Sequence, residues 1–331
     1  MKYFFIILIT FLTFSCKNDL KKEEPFTSEN IKLTGGVFGT FYQVTYHGED
    51  NYQQQIDSLF GVINASMSTY QTDSDISKLN RNESNHVDAH FIKVFEASKR
   101  IYEATEGAFD PTIGAVVNAW DFGPQGKIIH LDRIKIDSLM RFVGFNKIKR
   151  LGNKIIKPKP TFIDFNAIAK GYAVDVIANF LSSKGVRNYM VNIGGELNTK
   201  GINIEKQSGW TVGVENPNFD GTQSFSRTLV LKNEAMATSG TYRKFKMDES
   251  GNRYAHIIDT KTGYPSKTNL LSISVIAENC MMADAYATAF KAMGIEKVTS
   301  FLKEHPELKV FLIFENANNT FETMALNGFP E

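Results

Sequence analysis

An acid and a hydroxyl lie four residues apart in the stretch CMMADAYATAFKAMG, residues 280–294. The Ala-rich apolar pattern predicts a helix, on which Asp284 and Thr288 lie one turn apart on the same side. Carboxylate and hydroxyl oxygens suit Mg²⁺, which keeps few protein ligands and completes its shell with phosphate oxygens and water. Two interpretations stay open here: a metal site, or a Thr288 that bonds a helix carbonyl beside a solvated Asp284.

His256 is a candidate acid or base in HIIDTKTGYP, residues 256–265. An imidazole normally titrates near working pH, so it can accept or donate a proton there. A lone histidine beside an apolar Ile-Ile pair is, however, more often structural than catalytic. The stretch alone does not choose between these roles.

Two further stretches have residue types that suit an anion. FIDFNAIAKGYAVD, residues 162–175, predicts a strand carrying Asp164, a turn of small residues and a helix start where backbone N–H groups and Lys170 could receive phosphate oxygens. Thr-Ser-Gly at 238–240 predicts another anion-receiving turn. The P-loop pattern G-x-x-x-x-G-K-[ST] is missing, and NIGGE at 192–196 predicts a tight turn.

Asp110 precedes Pro111 in GAFDPTIG, residues 107–114. Aspartate is favoured at a helix N-cap and proline fits the first helical position, so the pair predicts a helix start. Capping and ligand binding both stay open as the role of Asp110.

The elements that must position these residues are a mixture of helices and short strands. Helices are expected at 52–65, 90–105, 133–143, 167–185, 281–294 and 296–304. Strands are expected at 37–47, 189–195, 210–217, 227–239, 254–259 and 270–278, with a closing hairpin at 309–328. Without a regular βαβ rhythm, this order predicts an α+β fold of mixed, mostly antiparallel sheets with packed helices.

The first 16 residues, MKYFFIILITFLTFSC, have the layout of a bacterial secretion signal with a short apolar region. Leu12, Ser15 and Cys16 resemble the lipobox at which the new N-terminal cysteine is acylated, and a plain signal peptide with an incidental cysteine is the alternative. We therefore expect a lipoprotein signal peptide at 1–15, a lipidated Cys16 with a polar tether at 16–32, and one domain at 33–331. Acyl chains on Cys16 would hold the protein at a membrane.

Composition excludes several classes of function. The formal net charge is +1 with interspersed signs, which gives no basic stripe and makes nucleic acid an unexpected partner. The two cysteines, Cys16 and Cys280, cannot build a zinc or iron–sulfur site if the first carries lipid. We expect Cys280 to be buried and inert.

Eight motifs in order resemble those of the ApbE-type flavin transferases, the FAD:protein FMN transferases. They are FGTFYQVTY (38–46), MSTYQTDSDISKLN (67–80), GAFDPTIG (107–114), IDFNAIAKGYAVD (163–175), VNIGGE (191–196), ATSGTYR (237–243), HIIDTKTGYP (256–265) and ADAYATA (283–289). The resemblance covers residues 33–328 and implies an ApbE-like, T-fold-like architecture with FAD in a central cleft.

The resemblance also implies a site. Mg²⁺ would bridge the FAD pyrophosphate to Asp284, Thr288 and the backbone carbonyl of Ala173, and His256 would be the acid or base, acting with Asp284 in catalysis. The implied flavin contacts are Phe38, Tyr70, Ala108, Phe109, Asp110, Lys170, Val176 and Ile258. Two positions depart from many relatives: Phe38 replaces a methionine, and Asn166-Ala167 replaces Gly-Gly, which restricts any need for a positive φ.

The implied reaction is Mg²⁺-dependent transfer of FMN from FAD to a Thr or Ser hydroxyl of an acceptor protein, with release of AMP. An FAD pyrophosphatase that yields FMN and AMP, and a non-catalytic flavin-binding lipoprotein, are the alternatives. We expect an extracytoplasmic protein, lipid-anchored in the bacterial cell envelope, whose acceptor is an extracytoplasmic redox subunit.

Overall fold

The computed structural model of this protein describes residues 29–220, 222–241, 245–247, 253–318 and 320–330. The predicted signal peptide, Cys16 and most of the predicted tether lie outside the described residues.

Helices and strands alternate irregularly along the described residues. The helices are α1 (Gln53–Met67), α2 (Asp75–Asn80), α3 (Ala89–Ala104), α4 (Gly114–Ala119), α5 (Arg133–Met140), α6 (Ala169–Ser183), α7 (Cys280–Met293) and α8 (Ile295–Leu302). The first eight strands are β1 (Ile31–Val37), β2 (Thr40–Tyr46), β3 (Lys149–Leu151), β4 (Lys154–Ile156), β5 (Tyr189–Ile193), β6 (Glu196–Lys200), β7 (Trp210–Glu215) and β8 (Phe225–Leu231). The other strands are β9 (Ala235–Gly240), β10 (Phe245–Met247), β11 (Arg253–Ala255), β12 (Leu270–Ala277), β13 (Lys309–Glu315) and β14 (Phe321–Leu326).

One large sheet organises the fold. Its eight strands run in the order β1-β2-β5-β6-β9-β12-β13-β14, and every pairing within it is antiparallel. The hairpins β3-β4, β7-β8 and β10-β11 form three small sheets. The expected α+β fold with mostly antiparallel strands is confirmed.

The large sheet is covered on both faces. Its main core packs against α1, α3, α6 and α7 and contains large, fully buried side chains such as Phe91, Phe165 and Phe290. A second core lies between the other face and the β7-β8 hairpin, where Val212 and Leu229 pack with Leu197 of β6. Adjacent residues of β6 therefore point to opposite faces, so Glu196 points toward the helices.

Two predicted strands are interrupted by turns. The expected strand at 37–47 is largely β2, which begins only at Thr40 because Phe38 and Gly39 form a turn with φ values of 52° and 72° after β1. The expected strand at 227–239 is divided into β8 and β9, with Asn233 at φ 57° between them. A residue at positive φ interrupts the extended backbone and ends a strand. The sequence does not indicate this interruption, because the alternating apolar pattern continues on both sides of it.

The predicted strand around Asp164 is also wrong. This segment has only an isolated bridge from Phe162 to Ile113, and the Asp164 carboxylate accepts hydrogen bonds from the backbone N–H and side-chain amide of Asn166. In such an Asx turn, the backbone N–H group bonds to a nearby side chain and not to a neighbouring strand. Asn166 and Ala167 adopt negative φ, so this turn needs no glycine.

None of the helices in the described part of the chain has the length and apolarity needed to cross a bilayer.

Candidate active site

Helix α7 starts where three capping contacts converge. The Asn279 side chain accepts a hydrogen bond from the Met282 N–H at 3.0 Å. The Asp175 carboxylate of α6 accepts from the Cys280 N–H at 2.9 Å and from the Met281 N–H at 2.8 Å. Since these N–H groups have no intrahelical partner, Asp175 fixes the start of α7 against α6.

Gly171 lets the two helices approach each other closely. A Cβ atom on Gly171 would lie 2.3 Å from the Cys280 carbonyl oxygen and 2.8 Å from the Asp284 Cβ. The Gly171 N–H donates to Asp284 Oδ2 at 3.0 Å. The absence of a side chain at this position therefore allows α6 to bind the Asp284 carboxylate through its backbone.

A buried charge cluster surrounds this contact. The Lys170 ammonium pairs with Glu196 Oε1, and the Glu196 side chain is only 4% exposed. Glu196 Oε2 is buried and has no hydrogen-bond partner among the described residues. The cluster of Lys170, Glu196 and Asp284 thus holds two carboxylates and one ammonium in a largely desolvated place.

Burial dominates the electrostatics of this cluster. It raises the pKa of Glu196 to about 7, although the Lys170 charge opposes the shift. Burial also raises the pKa of Asp284, against the effects of Lys170 and the Gly171 N–H. Burial alone would lower the pKa of Lys170, but the two carboxylates raise it above its ordinary value. A further cation would therefore stabilise the charged form of both acids.

Thr288 lies one turn beyond Asp284 on α7 and is partly exposed. Its hydroxyl shares a hydrogen bond of 3.2 Å with the Ser239 hydroxyl of β9. Residues 238–240 belong to this strand, so the predicted anion-receiving turn is wrong. Thr288 thus bonds across to the sheet.

The donor set fits Mg²⁺. A carboxylate, a hydroxyl and an excess of buried negative charge are what a hard cation with few protein ligands requires. No group of three or more His, Cys, Asp or Glu residues in the described ranges could hold a metal. The fit therefore rests on Asp284 and Thr288, with phosphate and water left to complete the shell.

Ala173 and Val176 lie on α6, inside or against the main core. Ala173 is fully buried, and an α-helical carbonyl at this position accepts the N–H four residues further on. Its role as a metal ligand stays a prediction, and a helical carbonyl keeps a second lone pair that a cation could use. Val176 is half-buried against the same core, and its predicted flavin contact also stays a prediction.

The loop GAFDP is held by local hydrogen bonds. The Ala108 N–H donates to the Thr105 carbonyl, and the Phe109 N–H donates to the Thr105 hydroxyl. Asp110 is 6% exposed and accepts both the N–H and the hydroxyl of Thr112, so it stabilises a turn. Helix α4 begins only at Gly114, and the prediction that Asp110 caps a helix is therefore wrong. Burial raises the pKa of Asp110.

The loop after His256 contacts this GAFDP loop. The Thr260 hydroxyl donates to the Gly107 carbonyl at 2.5 Å, and the Lys261 ammonium donates to the Glu106 carbonyl. Ile258 is 5% exposed and packs with Val116 and Val143 in a small apolar cluster. These contacts bring the segment of Ile258 beside that of the predicted flavin contacts Ala108, Phe109 and Asp110.

His256 itself lies just beyond the end of β11 and is half-buried. Its ring meets Phe122 in an edge-to-face contact with centroids 6.2 Å apart. Phe122 also contacts Tyr254 at 5.7 Å, so aromatic rings support the imidazole.

Phe38 lies in the turn between β1 and β2, and Tyr70 lies between α1 and α2. The Phe38 ring packs edge-on against Phe60 of α1, with centroids 5.6 Å apart. A cavity of about 540 Å³ opens between the β1-β2 turn and α1, lined by Phe38, Asp57 and Phe60 among others. Tyr70 is 64% exposed and available to a ligand.

The described hydrogen bonds and ion pairs join Lys170 to Glu196, Asp284 to Gly171 and Thr288 to Ser239. They do not connect Phe38, Tyr70 or Val176 to these residues. The neighbours that sequence reasoning missed are Gly171, Asp175, Glu196 and Ser239. Their only signal was membership in short motifs, since their partners lie far away in sequence.

This protein has a large antiparallel sheet with buried charges beneath α6 and α7. It is an α+β protein of the class that includes the ApbE-type flavin transferases. Residues 38–312 match the model of the ApbE family. This chain belongs to the ApbE family.

Curated relatives and solved structures agree with this assignment. The chain is 36% identical over 318 residues to the FAD:protein FMN transferase of Haemophilus influenzae, covering 91% of each protein. It is 34% identical over 319 residues to that of Vibrio cholerae, covering 93% of each. The structure of the flavin transferase ApbE from Vibrio cholerae superposes with a TM-score of 0.81 at 32% identity, over 90% of this chain and 97% of that one. The apo flavinyl transferase ApbE of Pseudomonas stutzeri gives 0.80 at 27% identity, over 90% and 94%.

Proposed function

We propose that this protein transfers FMN from FAD to a Thr or Ser hydroxyl of an acceptor protein and releases AMP. The relatives named as FAD:protein FMN transferases support the transfer. The observation that carries the proposal is the placement of Asp284 and Thr288 on one side of α7, with Asp284 beside the Lys170 cluster.

Asp284 and Thr288 would hold Mg²⁺ in this reaction. A bound Mg²⁺ supplies Lewis-acid stabilisation of the charge that builds up on a pyrophosphate. The excess of carboxylates over ammonium groups in the cluster supports the binding of a cation there.

Lys170 contributes a fixed positive charge. Its side chain is 31% exposed, and its ammonium pairs with Glu196. An ammonium near a phosphate stabilises negative charge more strongly in a partly desolvated place than in water. We infer that Lys170 binds the phosphates of FAD, while Phe38, Tyr70, Val176, Ile258 and the Ala108–Asp110 segment contact the rest of the dinucleotide.

The reaction exchanges the phosphoanhydride bond of FAD for a phosphoester bond to the acceptor. The acceptor oxygen forms a bond to the flavin-side phosphorus of FAD, the P–O bond between the two phosphorus atoms breaks, and AMP leaves. The acceptor hydroxyl loses its proton, and His256 is the base that takes it. The aromatic rings around His256 limit the number of orientations its imidazole can adopt.

One incubation tests this proposal. The purified chain without its first 28 residues is mixed with FAD, Mg²⁺ and a candidate acceptor domain, and products are scored by in-gel flavin fluorescence and chromatography. Fluorescent acceptor with equimolar AMP supports transfer. Free FMN with AMP and unlabelled acceptor would instead identify a pyrophosphatase, and unchanged FAD would identify a binding protein.

Asp284→Ala provides the sharpest variant. We expect labelling to fall by at least about 10³-fold, because the variant removes the only carboxylate of the proposed Mg²⁺ site. Glu96→Ala, at a carboxylate on α3 that pairs with Arg150, is the matched control and should label normally. Normal labelling by Asp284→Ala would overturn the metal assignment.

We also propose that the protein is anchored through lipid on Cys16 in the bacterial cell envelope, on the extracytoplasmic side. The apolar segment ending in Leu12, Ser15 and Cys16 supports this location, and an extracytoplasmic redox subunit is the acceptor we expect there. Cys16→Ser should move the protein from the detergent phase to the aqueous phase in a detergent partition assay. Equal partitioning of both forms would contradict the anchor.

A further inference from the structure

Glu196 has no role of its own in the reaction proposed above. It is the first residue of β6 and follows a tight turn in which Gly194 and Gly195 have φ values of 63° and 109°. This turn joins β5 to β6 and pairs Ile193 with Glu196. The hairpin geometry therefore fixes where the Glu196 side chain leaves the sheet.

The burial of Glu196 is costly. The residue is 3% exposed, one carboxylate oxygen bonds Lys170, and the other has no partner among the described residues. An apolar side chain at this position would avoid the desolvation of a carboxylate, and buried ion pairs are often no more stable than apolar replacements. Fold stability therefore gives no reason for a carboxylate at this position, whereas a function of Lys170 does.

Within the described ranges, the Lys170 ammonium forms its ion pair and hydrogen bond with Glu196 alone. The next residue, Gly171, binds the Asp284 carboxylate through its N–H. A lysine side chain has four rotatable bonds, so an ammonium without a fixed partner would occupy many positions. Glu196 restricts it to one position near Asp284.

We propose that Glu196 is a positioning residue that holds the Lys170 ammonium where it acts on the phosphates of FAD. This inference rests on the proposed function of the same site. Glu196 touches Lys170 and acts through it. Within the described residues, Lys170 is the one side chain that pairs with this carboxylate, which agrees with such a role.

The test compares FMN transfer by the wild type, Glu196→Gln and Glu196→Asp. The glutamine variant keeps the size of the side chain and loses its charge, and we expect kcat to fall by about 10- to 100-fold. The KM for FAD should change by less than about threefold, because the ammonium remains present and only its position is lost. The aspartate variant keeps the charge. The decrease in log kcat should therefore be at most about half of that in Glu196→Gln.

Glu234→Gln is the matched control. Glu234 forms a carboxylate–ammonium pair with Lys309 at 2.6 Å and is not part of the Lys170 cluster. Its loss should leave kcat unchanged. Thermal unfolding of each variant verifies that the compared proteins are folded.

A double-mutant cycle identifies the route of the effect. In a Lys170→Met background, Glu196→Gln should change kcat by less than about twofold, since the group that it positions is gone. The double variant also lacks both buried charges, which guards against loss of folding.

The outcomes separate this inference from the proposed function. If the wild-type protein labels no acceptor, the proposed function is wrong, whatever the variants do. Labelling by the wild type with equally fast labelling by Glu196→Gln overturns only the inference. A Glu196→Asp variant that melts normally and is as slow as Glu196→Gln, or additive effects in the cycle, would overturn it as well.

Discussion

The α6–α7 region and the region around His256 hold their polar groups by different means. In the first, Asp284 and Glu196 are buried in or beside the main core, and Asp284 is bound by the backbone of Gly171. In the second, His256 follows the end of β11 and contacts the ring of Phe122. Its neighbour Ile258 belongs to a small cluster and not to the main core.

This difference teaches which changes each region tolerates. Charges in the α6–α7 region depend on the distance between two helices, so a change of packing there affects stability and chemistry together. Around His256, side-chain contacts and loop hydrogen bonds hold the residues in position. A substitution there should change the chemistry and leave the stability of the main core nearly intact.

His256→Asn should produce the largest effect and would separate the two regions most clearly. Transfer should fall by about 10²- to 10⁴-fold through loss of the base. The thermal midpoint should stay near that of the wild type, because the histidine lies outside the main core. His305→Asn, at a half-buried histidine stacked on Phe301, should retain full transfer. Normal transfer by His256→Asn would show that the proton has another acceptor.

Gly171→Ala should damage stability and transfer together. The added Cβ would meet the Cys280 carbonyl at 2.3 Å, so the helices must separate. We expect a loss of about 1–3 kcal/mol in the free energy of unfolding. Transfer should fall by about 10²-fold through the displacement of Asp284. Urea unfolding and labelling rates measure the two effects.

Gly61→Ala is the control for this change. Gly61 lies within α1, and no atom beyond its own helix backbone and its chain neighbours approaches within 4 Å of the Cβ it would receive. Alanine should raise the free energy of unfolding by about 0.5–1 kcal/mol there. If Gly171→Ala behaved like Gly61→Ala, the helix contact would not determine the site.

The pH dependence of stability sharpens the same contrast. Burial raises the pKa of Glu196 from 4.5 to about 7, so the folded state binds a proton more tightly than the unfolded state. The resulting stabilisation is fully present below about pH 4.5 and is lost as pH rises through about 7. With a chelator present, the thermal midpoint of the wild type should fall between pH 5 and 8 more than that of Glu196→Gln. Parallel curves for the two proteins would contradict this shift.

Thr260→Val should give the smallest effect and tests the loop contact near His256. The variant loses the hydrogen bond to the Gly107 carbonyl, which contributes about 1 kcal/mol. We expect the KM for FAD to rise about threefold to tenfold, while the thermal midpoint changes little. An unchanged KM would show that this contact does not position the GAFDP loop for FAD.

Local patterns predicted much of this fold. The helix at 280–293 and the closing hairpin follow from apolar periodicity, and the one-turn spacing of Asp284 and Thr288 placed both on one helix side. The wrong elements share a cause. Phe38 at positive φ and the Asx turn of Asp164 break patterns that continue on both sides of them.

The missed site residues depend on contacts that are distant in sequence. Glu196 meets Lys170 across 26 residues, and Ser239 meets Thr288 across 49. No local pattern records such a partner. The prediction that Asp110 caps a helix is wrong for a related reason. Asp110 accepts a hydrogen bond from Thr112 in a turn, and the helix begins only at Gly114.

The fully buried Cys280 gives the α6–α7 pair its own reporter. The thiol lies at the start of α7, and its backbone carbonyl faces Gly171. The thiol also contacts the Met236 carbonyl of β9 at 3.8 Å. An alkylating reagent therefore reaches it only when α7 opens transiently from its neighbours, and the native-state modification rate of Cys280 measures how often this happens. Any small molecule that bridges the helices would protect this thiol, which allows ligands to be screened by mass spectrometry without an acceptor protein.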